Sequence, residues 1–170
     1  MSRRQQIIEA AGRLLEREGP EGLTMRAIAA ELDIKAPSLY KHIADKRDLE
    51  VALIADGLLQ QAEQFEKVLA EGGELPHQLA AAFRRWALEH PHLYNLMNQQ
   101  PLPRDHLPDD VEERAVVPIL RAFGGDRDRA RAAWAFAHGM VTLELADRFP
   151  PDADLTKAWH IGIAGLAAKS

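Results

Sequence analysis

Apolar residues recur along the chain at helical spacing, and no stretch alternates apolar and polar residues for long enough to predict a β-strand. Ile8, Ala11 and Leu15 form one such stripe. They predict a first helix from about Arg3 to Glu18, which ends at Gly19-Pro20 because proline does not continue a helix. The same spacing over most of the remaining residues predicts an all-α protein.

Two short helices joined by a tight turn are predicted in residues 24–43. Thr24 is a good N-cap for the first of them, and residues 33–35 form the turn. The second helix, 36–43, is apolar only on the side that carries Leu39 and Ile43. This arrangement is that of a helix-turn-helix, in which the first helix braces a second one that enters the major groove of DNA.

The outward side of the second helix is small at its start and polar or basic further on. Its residues are Ala36, Pro37, Ser38, Tyr40, Lys41 and His42. Small residues allow the start of a helix to approach base edges closely, and the following groups donate and accept hydrogen bonds. Short helix pairs are also common in all-α proteins. The residues alone therefore leave open a DNA-binding unit or merely three short amphipathic helices.

The remaining two-thirds of the chain is predicted to be helical and apolar. Asp45 caps a long helix from about Lys46 to Ala70, and Pro76 opens the next one. Pro118 predicts that its own helix is either kinked or split. Glycines at 162 and 165 in the last helix would let another helix approach closely. Further helices are expected over residues 92–98, 109–123, 126–149 and 155–167, with a proline-containing loop over 99–108.

The composition is that of a globular protein and excludes several kinds of site. Hydrophobic residues make up 46% of the 170 residues and charged residues 28%. The chain has no cysteine, which excludes disulfides and cysteine-ligated metals. Its serines are Ser2, Ser38 and Ser170, so nucleophilic catalysis has almost no candidate residue. We expect neither an enzyme nor a cofactor.

Hydropathy indicates where in the cell the protein works, and the distribution of charge indicates a local basic surface. The first residues lack the apolar core of a signal peptide, and no apolar run is long enough to span a bilayer, which predicts a cytoplasmic protein without a membrane partner. The net charge is -5, yet residues 1–50 hold nine Lys and Arg against nine Asp and Glu. Lys35, Lys41, Lys46 and Arg47 lie close together in sequence. Such a local basic face can bind phosphates, because salt screens charge beyond roughly 10 Å.

Several motifs follow one another in a fixed order near the N-terminus. The segment IIEAAGRLLEREGPEGLTMRAIAAELDI contains an apolar helix, a glycine, a threonine and an IA-x-x-L-x-I motif, and APSLYKHIADKRDL continues it. In order and spacing, residues 5–55 resemble the TetR family of transcriptional regulators. Two positions depart from the family pattern: His42-Ile43 replace Tyr or His followed by Phe, and Lys35 replaces a small polar residue.

The resemblance implies double-stranded operator DNA as the partner of the helix-turn-helix. The implied recognition contacts are Ala36, Pro37, Ser38, Tyr40, Lys41 and His42, preceded by Lys35 in the turn. Thr24, Arg26 and Lys46 are expected to contact the phosphate backbone. Because one short helix reads too few base pairs to be selective, a homodimer is expected as well.

The segment Trp134–Gly139, WAFAHG, resembles the Trp-x-x-x-His-Gly signature of one subset of effector domains in this family. The resemblance implies a helical domain that binds a small molecule and dimerises through its last two helices. The candidate ligand residues are Phe83, Trp86, Tyr94, Met97, Trp134, His138 and Met140, and they favour a hydrophobic or amphipathic effector. Each of them also suits a plain core position, and His138 suits a buried histidine bonded to a neighbouring helix.

No metal site is expected. His90 and His92 flank a proline at a broken helix end, which is a poor arrangement of ligands, and no other cluster completes it.

We therefore predict a two-domain homodimer, with a DNA-binding domain in residues 1–48 and an effector-binding and dimerisation domain in residues 49–170. Its predicted function is that of a transcriptional repressor released from DNA by a small effector. The alternative is a helical ligand-binding or adaptor protein that does not bind DNA.

Overall fold

A computed structural model describes residues 2–168, so Met1, Lys169 and Ser170, the last of which was considered above as a nucleophile, lie outside the described residues. Within residues 2–168 the chain is helical and forms no strand, which confirms the all-α prediction. The helices are α1 (Arg3–Gly22), α2 (Met25–Glu31), α3 (Ala36–Leu39), α4 (Lys46–Glu71), α5 (Leu75–Glu89), α6 (Pro91–Asn98), α7 (Val111–Ala122), α8 (Arg127–Leu145) and α9 (Leu155–Ala167). None of these helices combines the length and the apolarity needed to cross a bilayer.

The described chain separates into two compact units. The N-terminal unit contains residues 2–58 and 90–111, and therefore α1 to α3, the first half of α4, and α6. The C-terminal unit contains residues 59–89 and 112–168, and therefore the rest of α4 with α5, α7, α8 and α9. The functional boundary predicted after residue 48 stays a prediction.

The N-terminal unit has an apolar core, and α6 is bound to α1 beside it. The Glu16 carboxylate accepts hydrogen bonds from the backbone amides of His92, at 3.2 Å, and Leu93, at 2.8 Å. These amides belong to the first turn of α6, where N–H groups have no partner within the helix. The fully buried large side chains of this core are Ile7, Leu15, Ile28, Leu39, Ile43, Leu49 and Leu53, with Tyr94 from α6.

Two helix ends differ from the sequence prediction. The predicted helix 36–43 is regular only over Ala36–Leu39, because the chain tightens after Leu39 into turns in which the His42 amide bonds to the Leu39 carbonyl at 2.8 Å. The helix predicted to reach Phe149 ends at Leu145. Asp147 there takes a φ of 50°, and the Arg148 amide bonds back to the Leu143 carbonyl. This is the usual left-handed end of a helix, provided here by aspartate instead of glycine.

One glycine and one proline that interrupt the predicted helices have different effects. Gly19 has a φ of 73° and breaks the helical path of α1 at the predicted place, although one further turn follows as far as Gly22. Pro118 lies inside α7, which is one uninterrupted helix. Of the two alternatives for this segment, the split helix is therefore wrong.

The C-terminal unit joins α5, α8 and α9 through one polar group. The Glu144 carboxylate on α8, only 6% exposed, pairs with the Arg84 guanidinium on α5 at 2.7 Å. It also accepts a hydrogen bond from Trp159 Nε1 on α9 at 2.6 Å. Because every oxygen of this buried carboxylate is satisfied, the three helices are held in one register.

Candidate functional site

Residues 24–35 form the first helix and turn of a helix-turn-helix. The Thr24 hydroxyl oxygen accepts a hydrogen bond from the Ala27 amide at 3.1 Å and so caps α2. The helix ends where Asp33 takes a φ of 51°, and the Ile34 amide bonds back to the Ala29 carbonyl at 2.9 Å. The turn that follows delivers the chain directly into α3.

The inner and outer sides of α3 and its following turn are sharply separated. Leu39 and Ile43 are fully buried, as their spacing predicted. Tyr40, between them, is 54% exposed. Of the ten predicted DNA-contacting residues, two are half-buried, Ala36 and Ser38, and the others are exposed, namely Thr24, Arg26, Lys35, Pro37, Tyr40, Lys41, His42 and Lys46. The structure thus brings these residues to the surface, and their contact with DNA stays a prediction.

This surface carries cations without acidic partners. Arg26, Lys35 and Lys41 make no ion pair with any residue between 2 and 168. Lys46 lies 3.9 Å from the Glu50 carboxylate and is more than half exposed, so it pairs only loosely. These ammonium and guanidinium groups are available to phosphate oxygens.

Sequence reasoning missed the group that holds the chain after α3. The Arg4 guanidinium, in the first turn of α1, donates to the His42 carbonyl at 2.7 Å and to the Asp48 carboxylate at 2.8 Å. The same carboxylate accepts from the Ala44 amide at 2.8 Å. The hydrogen bonds from Arg4 and Ala44 hold the pKa of the Asp48 carboxyl below its usual value, against the effect of its partial burial. Arg4 and Asp48 are 44 positions apart, so no local pattern indicates their contact.

An apolar cleft that is partly open to solvent lies in the C-terminal unit. It lies between α4, α5, α7, α8 and α9, and among residues 2–168 no charged side chain lines it. Trp134 is 51% exposed and so lies at its opening. The lining residues are Phe65, Pro76, Leu79, Ala80, Phe83, Ile119, Phe123, Ala133, Trp134, Ala137 and Ile163. Such a surface suits a small, uncharged, hydrophobic molecule.

The structure brings only part of the predicted ligand set to this cleft. Phe83 and Trp134 line it. His138 is half-buried and stacks on the Trp134 ring, with the centroids 5.8 Å apart. The remaining four lie elsewhere: Met140 is half-buried on α8, Trp86 is buried and donates its indole N–H to Gln60, and Tyr94 and Met97 are buried in the N-terminal unit. The other lining residues belong to ordinary apolar stripes, which do not distinguish a cleft from a core.

α8 and α9 each expose a large apolar residue and a glycine, and we refer to these four residues as the outer face of α8 and α9. Ile161 is 60% exposed and Leu143 43% exposed. A Cβ added at Gly139 or Gly165 meets no atom of the described residues within 4 Å, so a side chain at either position would extend into open space. Gly162 differs, because a Cβ there would overlap the Phe136 ring. Of the two glycines noted in α9, Gly162 thus permits packing within the chain and Gly165 lies on the outer face.

Two family models match the chain. The one described as bacterial regulatory proteins, tetR family, matches residues 7–53, and the one described as tetracyclin repressor-like, C-terminal domain, matches residues 77–166. The helix-turn-helix-type transcriptional regulator Rv0681 of Mycobacterium tuberculosis is 31% identical over 84% of this chain and 70% of its own length. The chain spans about half the length of three further mycobacterial regulators, each 26% identical.

Solved structures resemble the chain over nearly its whole length. The multidrug binding protein EbrR, complexed with imidazole, has a TM-score of 0.71 and 25% identity and covers 100% of this chain and 97% of its own. BioQ has a TM-score of 0.65 and 27% identity over 99% of both chains. A second BioQ structure, with its double-stranded DNA operator, shares the fold at 23% identity, with a TM-score of 0.62 and coverage of 99% and 100%.

These matches confirm the prediction of a DNA-binding transcriptional regulator over that of a ligand carrier that does not bind DNA. They also confirm that it is not an enzyme, since regulators of this kind are transcription factors. Both units are covered by a family model, and the relative from M. tuberculosis matches most of the chain. The chain belongs to the TetR family of bacterial regulatory proteins.

Proposed function

We propose that this regulator is a homodimeric repressor that leaves its operator when a small hydrophobic molecule occupies the cleft of its C-terminal unit. Residues 1–48 bind DNA in this proposal, and residues 49–170 bind the effector and the second copy. The observation that carries it is the surface formed by α3 and its following turn, exposed on its outer side and anchored by Leu39 and Ile43.

DNA contact follows from what this surface presents. Ala36, Pro37 and Ser38 let the start of α3 approach base edges, and Tyr40, Lys41 and His42 offer hydrogen-bonding groups beside them. Thr24, Arg26, Lys35 and Lys46 supply contacts to the phosphates. The solved BioQ–operator complex, which has the same fold, supports this docking.

The apolar lining of the cleft indicates the chemical class of the effector. With only apolar side chains and one indole in its lining, the cleft selects an uncharged molecule, since a charge inside it would lose its hydration without a partner. This narrows the predicted effector to the hydrophobic kind. Phe83 and Trp134 contact it, and His138 acts by supporting the Trp134 ring. Membership of the Trp-x-x-x-His-Gly subset is part of the proposal.

Dimerisation follows from the outer face of α8 and α9. Gly139 and Gly165 allow the backbones of two copies to approach closely, and Leu143 and Ile161 bury their exposed area in the contact. We refer to the outer side of α3 and its following turn, residues 36–42, as the recognition surface. Two copies place two recognition surfaces on half-sites about 34–36 Å apart, or a multiple of that distance.

The test is a DNA-binding measurement on the whole protein. Duplexes selected from a random pool, and the DNA upstream of its own gene, are titrated at several salt concentrations. We expect specific binding that weakens steeply with salt, and Lys46→Ala should lower the slope of log affinity against log salt by about one unit. A wild-type protein that selects no duplex would contradict the proposal.

A further inference from the structure

The part of the recognition surface that follows α3 receives little support from helical hydrogen bonds. Regular helix ends at Leu39, and α4 begins at Lys46. Between them, two backbone amides, those of His42 and Ile43, bond back to the Leu39 carbonyl. The exposed side chains of Tyr40, Lys41 and His42 are therefore carried by a segment that is not itself a helix.

Arg4 and Asp48 supply the missing support. One guanidinium binds both the His42 carbonyl and the Asp48 carboxylate, and that carboxylate also holds the Ala44 amide. The Asp45 side chain, which accepts from the Asp48 amide at 2.9 Å, fixes the turn of α4 on which Asp48 stands. These contacts hold His42 and Ala44, in the turn that follows α3, against α1 and α4. We refer to Arg4, Asp48 and their two backbone partners as the α1–α4 clasp.

We propose that Arg4 and Asp48 are positioning residues for DNA recognition, which hold the segment after α3 in the pose that fits the major groove. This inference rests on the proposed DNA-binding function. The clasp acts on DNA through the segment it holds, so its loss affects the reading of sequence more than the attraction to phosphates.

If Arg4 and Asp48 acted only through their charges, removal of the Asp48 carboxylate would strengthen DNA binding, whereas the positioning role predicts that it weakens binding. Removing a carboxylate from a surface that faces DNA raises its positive charge, which by itself strengthens binding. If Arg4 were simply a phosphate contact, its removal would lower the salt slope by about one unit. The positioning role requires that both Arg4→Ala and Asp48→Ala weaken specific binding and leave the salt slope unchanged.

The experiment is a double-mutant cycle of Arg4→Ala and Asp48→Ala in the full chain. Affinity is measured by fluorescence anisotropy for a duplex selected by the wild-type protein and for a scrambled duplex of the same length. Each single variant should lose about ten-fold in affinity for the selected duplex, as expected for hydrogen bonds between charged groups. The double variant should lose hardly more than either single one, because both remove the same clasp.

Neighbouring residues provide matched controls. Arg3→Ala removes the adjacent cation of α1, whose side chain bonds only to Gln6 among the described residues, and Glu50→Ala removes the next carboxylate of α4. Both should keep the preference for the selected duplex. Circular dichroism establishes that each variant is folded, and Asp48→Asn, which keeps an acceptor for the Ala44 amide, replaces Asp48→Ala if that variant unfolds.

The outcomes separate the two proposals. Tighter binding by a folded Asp48 variant, or losses that simply add in the double variant, would overturn the positioning role while the DNA-binding function stands. Wild-type protein that does not distinguish the selected from the scrambled duplex would overturn the proposed function itself, and the positioning role with it.

Discussion

Neighbouring residues at the end of α3 and in the turn that follows it differ completely in their exposure to solvent. Leu39 and Ile43 are fully buried, whereas Tyr40, Lys41 and His42 between them are exposed. Two side chains four positions apart therefore anchor a segment that consists of regular helix only as far as Leu39. These two anchors and the α1–α4 clasp together hold the exposed side chains of Tyr40, Lys41 and His42 in place.

Shortening one of these two buried side chains should lower the free energy of unfolding of the N-terminal unit. Ile43→Ala leaves a cavity in a fully packed site and should cost about 2–5 kcal/mol of stability, measured by urea denaturation. His42→Ala, at the exposed neighbouring position, should change the stability by less than about 0.5 kcal/mol. Equal effects of the two substitutions would mean that Ile43 is not an anchor.

The Asp48 carboxylate should make stability depend on pH. Its pKa is lowered in the folded protein, chiefly by the hydrogen bond from Arg4. Its contribution to stability is therefore present above the pKa of the unfolded chain, about 4, and is lost as the pH falls through the lower folded value. The wild-type protein should exceed Asp48→Asn in melting temperature at about pH 7, and the difference should shrink below about pH 4. A difference independent of pH would contradict the assignment.

At the scale of helices, one glycine governs the contact of α8 with α9. The Phe136 ring lies where the side chain of residue 162 would stand, and its edge meets the Trp159 ring, with the centroids 5.6 Å apart. α8 and α9 are also joined, together with α5, by the hydrogen bonds of the buried Glu144 carboxylate. The packing of these helices also shapes one side of the cleft, to which Ile163 contributes.

A methyl group at position 162 should therefore destabilise the C-terminal unit. Gly162→Ala forces the Phe136 ring to move and should cost about 1–3 kcal/mol, measured by thermal or urea denaturation. Gly12→Ala provides the control, because its Cβ meets Leu53 at an ordinary 3.8 Å and alanine favours a helix. The idea fails if the two variants are equally stable.

The sequence predicted helices well and their ends less well. The burial of Leu39 and Ile43 followed from a spacing of four, but the shortening of α3 depends on turns that no residue type signals. The end of α8 was placed too late because Asp147, rather than glycine, takes the left-handed conformation. The exposure of Tyr40, Lys41 and His42 was predictable because these outward positions carry polar residues. The cleft was less predictable, because the apolar side chains that line it follow the same spacing along the sequence as those that fill a core.

At the scale of the whole molecule, the proposed repressor requires two copies. One recognition surface contacts too few base pairs for selective binding, so affinity for an operator depends on a paired arrangement. The outer face of α8 and α9, with its exposed Ile161 and open glycines, is the surface proposed for this pairing. Dimerisation and DNA binding are therefore linked in this account.

A charge on the outer face should separate the copies. Ile161→Asp places a carboxylate on the proposed interface and should convert the dimer to a monomer in analytical ultracentrifugation, with loss of operator binding. Val116→Asp, on the exposed side of α7, should leave the dimer intact. If Ile161→Asp remains dimeric, the two copies meet elsewhere.

Tyr40→Ala tests most directly whether α3 and its following turn read DNA sequence. The measured quantity is the ratio of the variant's affinities for a selected and a scrambled duplex. Tyr40 is exposed, so the variant should fold normally. We predict that affinity for the selected duplex falls about ten-fold or more and that affinity for the scrambled duplex changes little. An unchanged ratio would show that another surface of the protein recognises the operator.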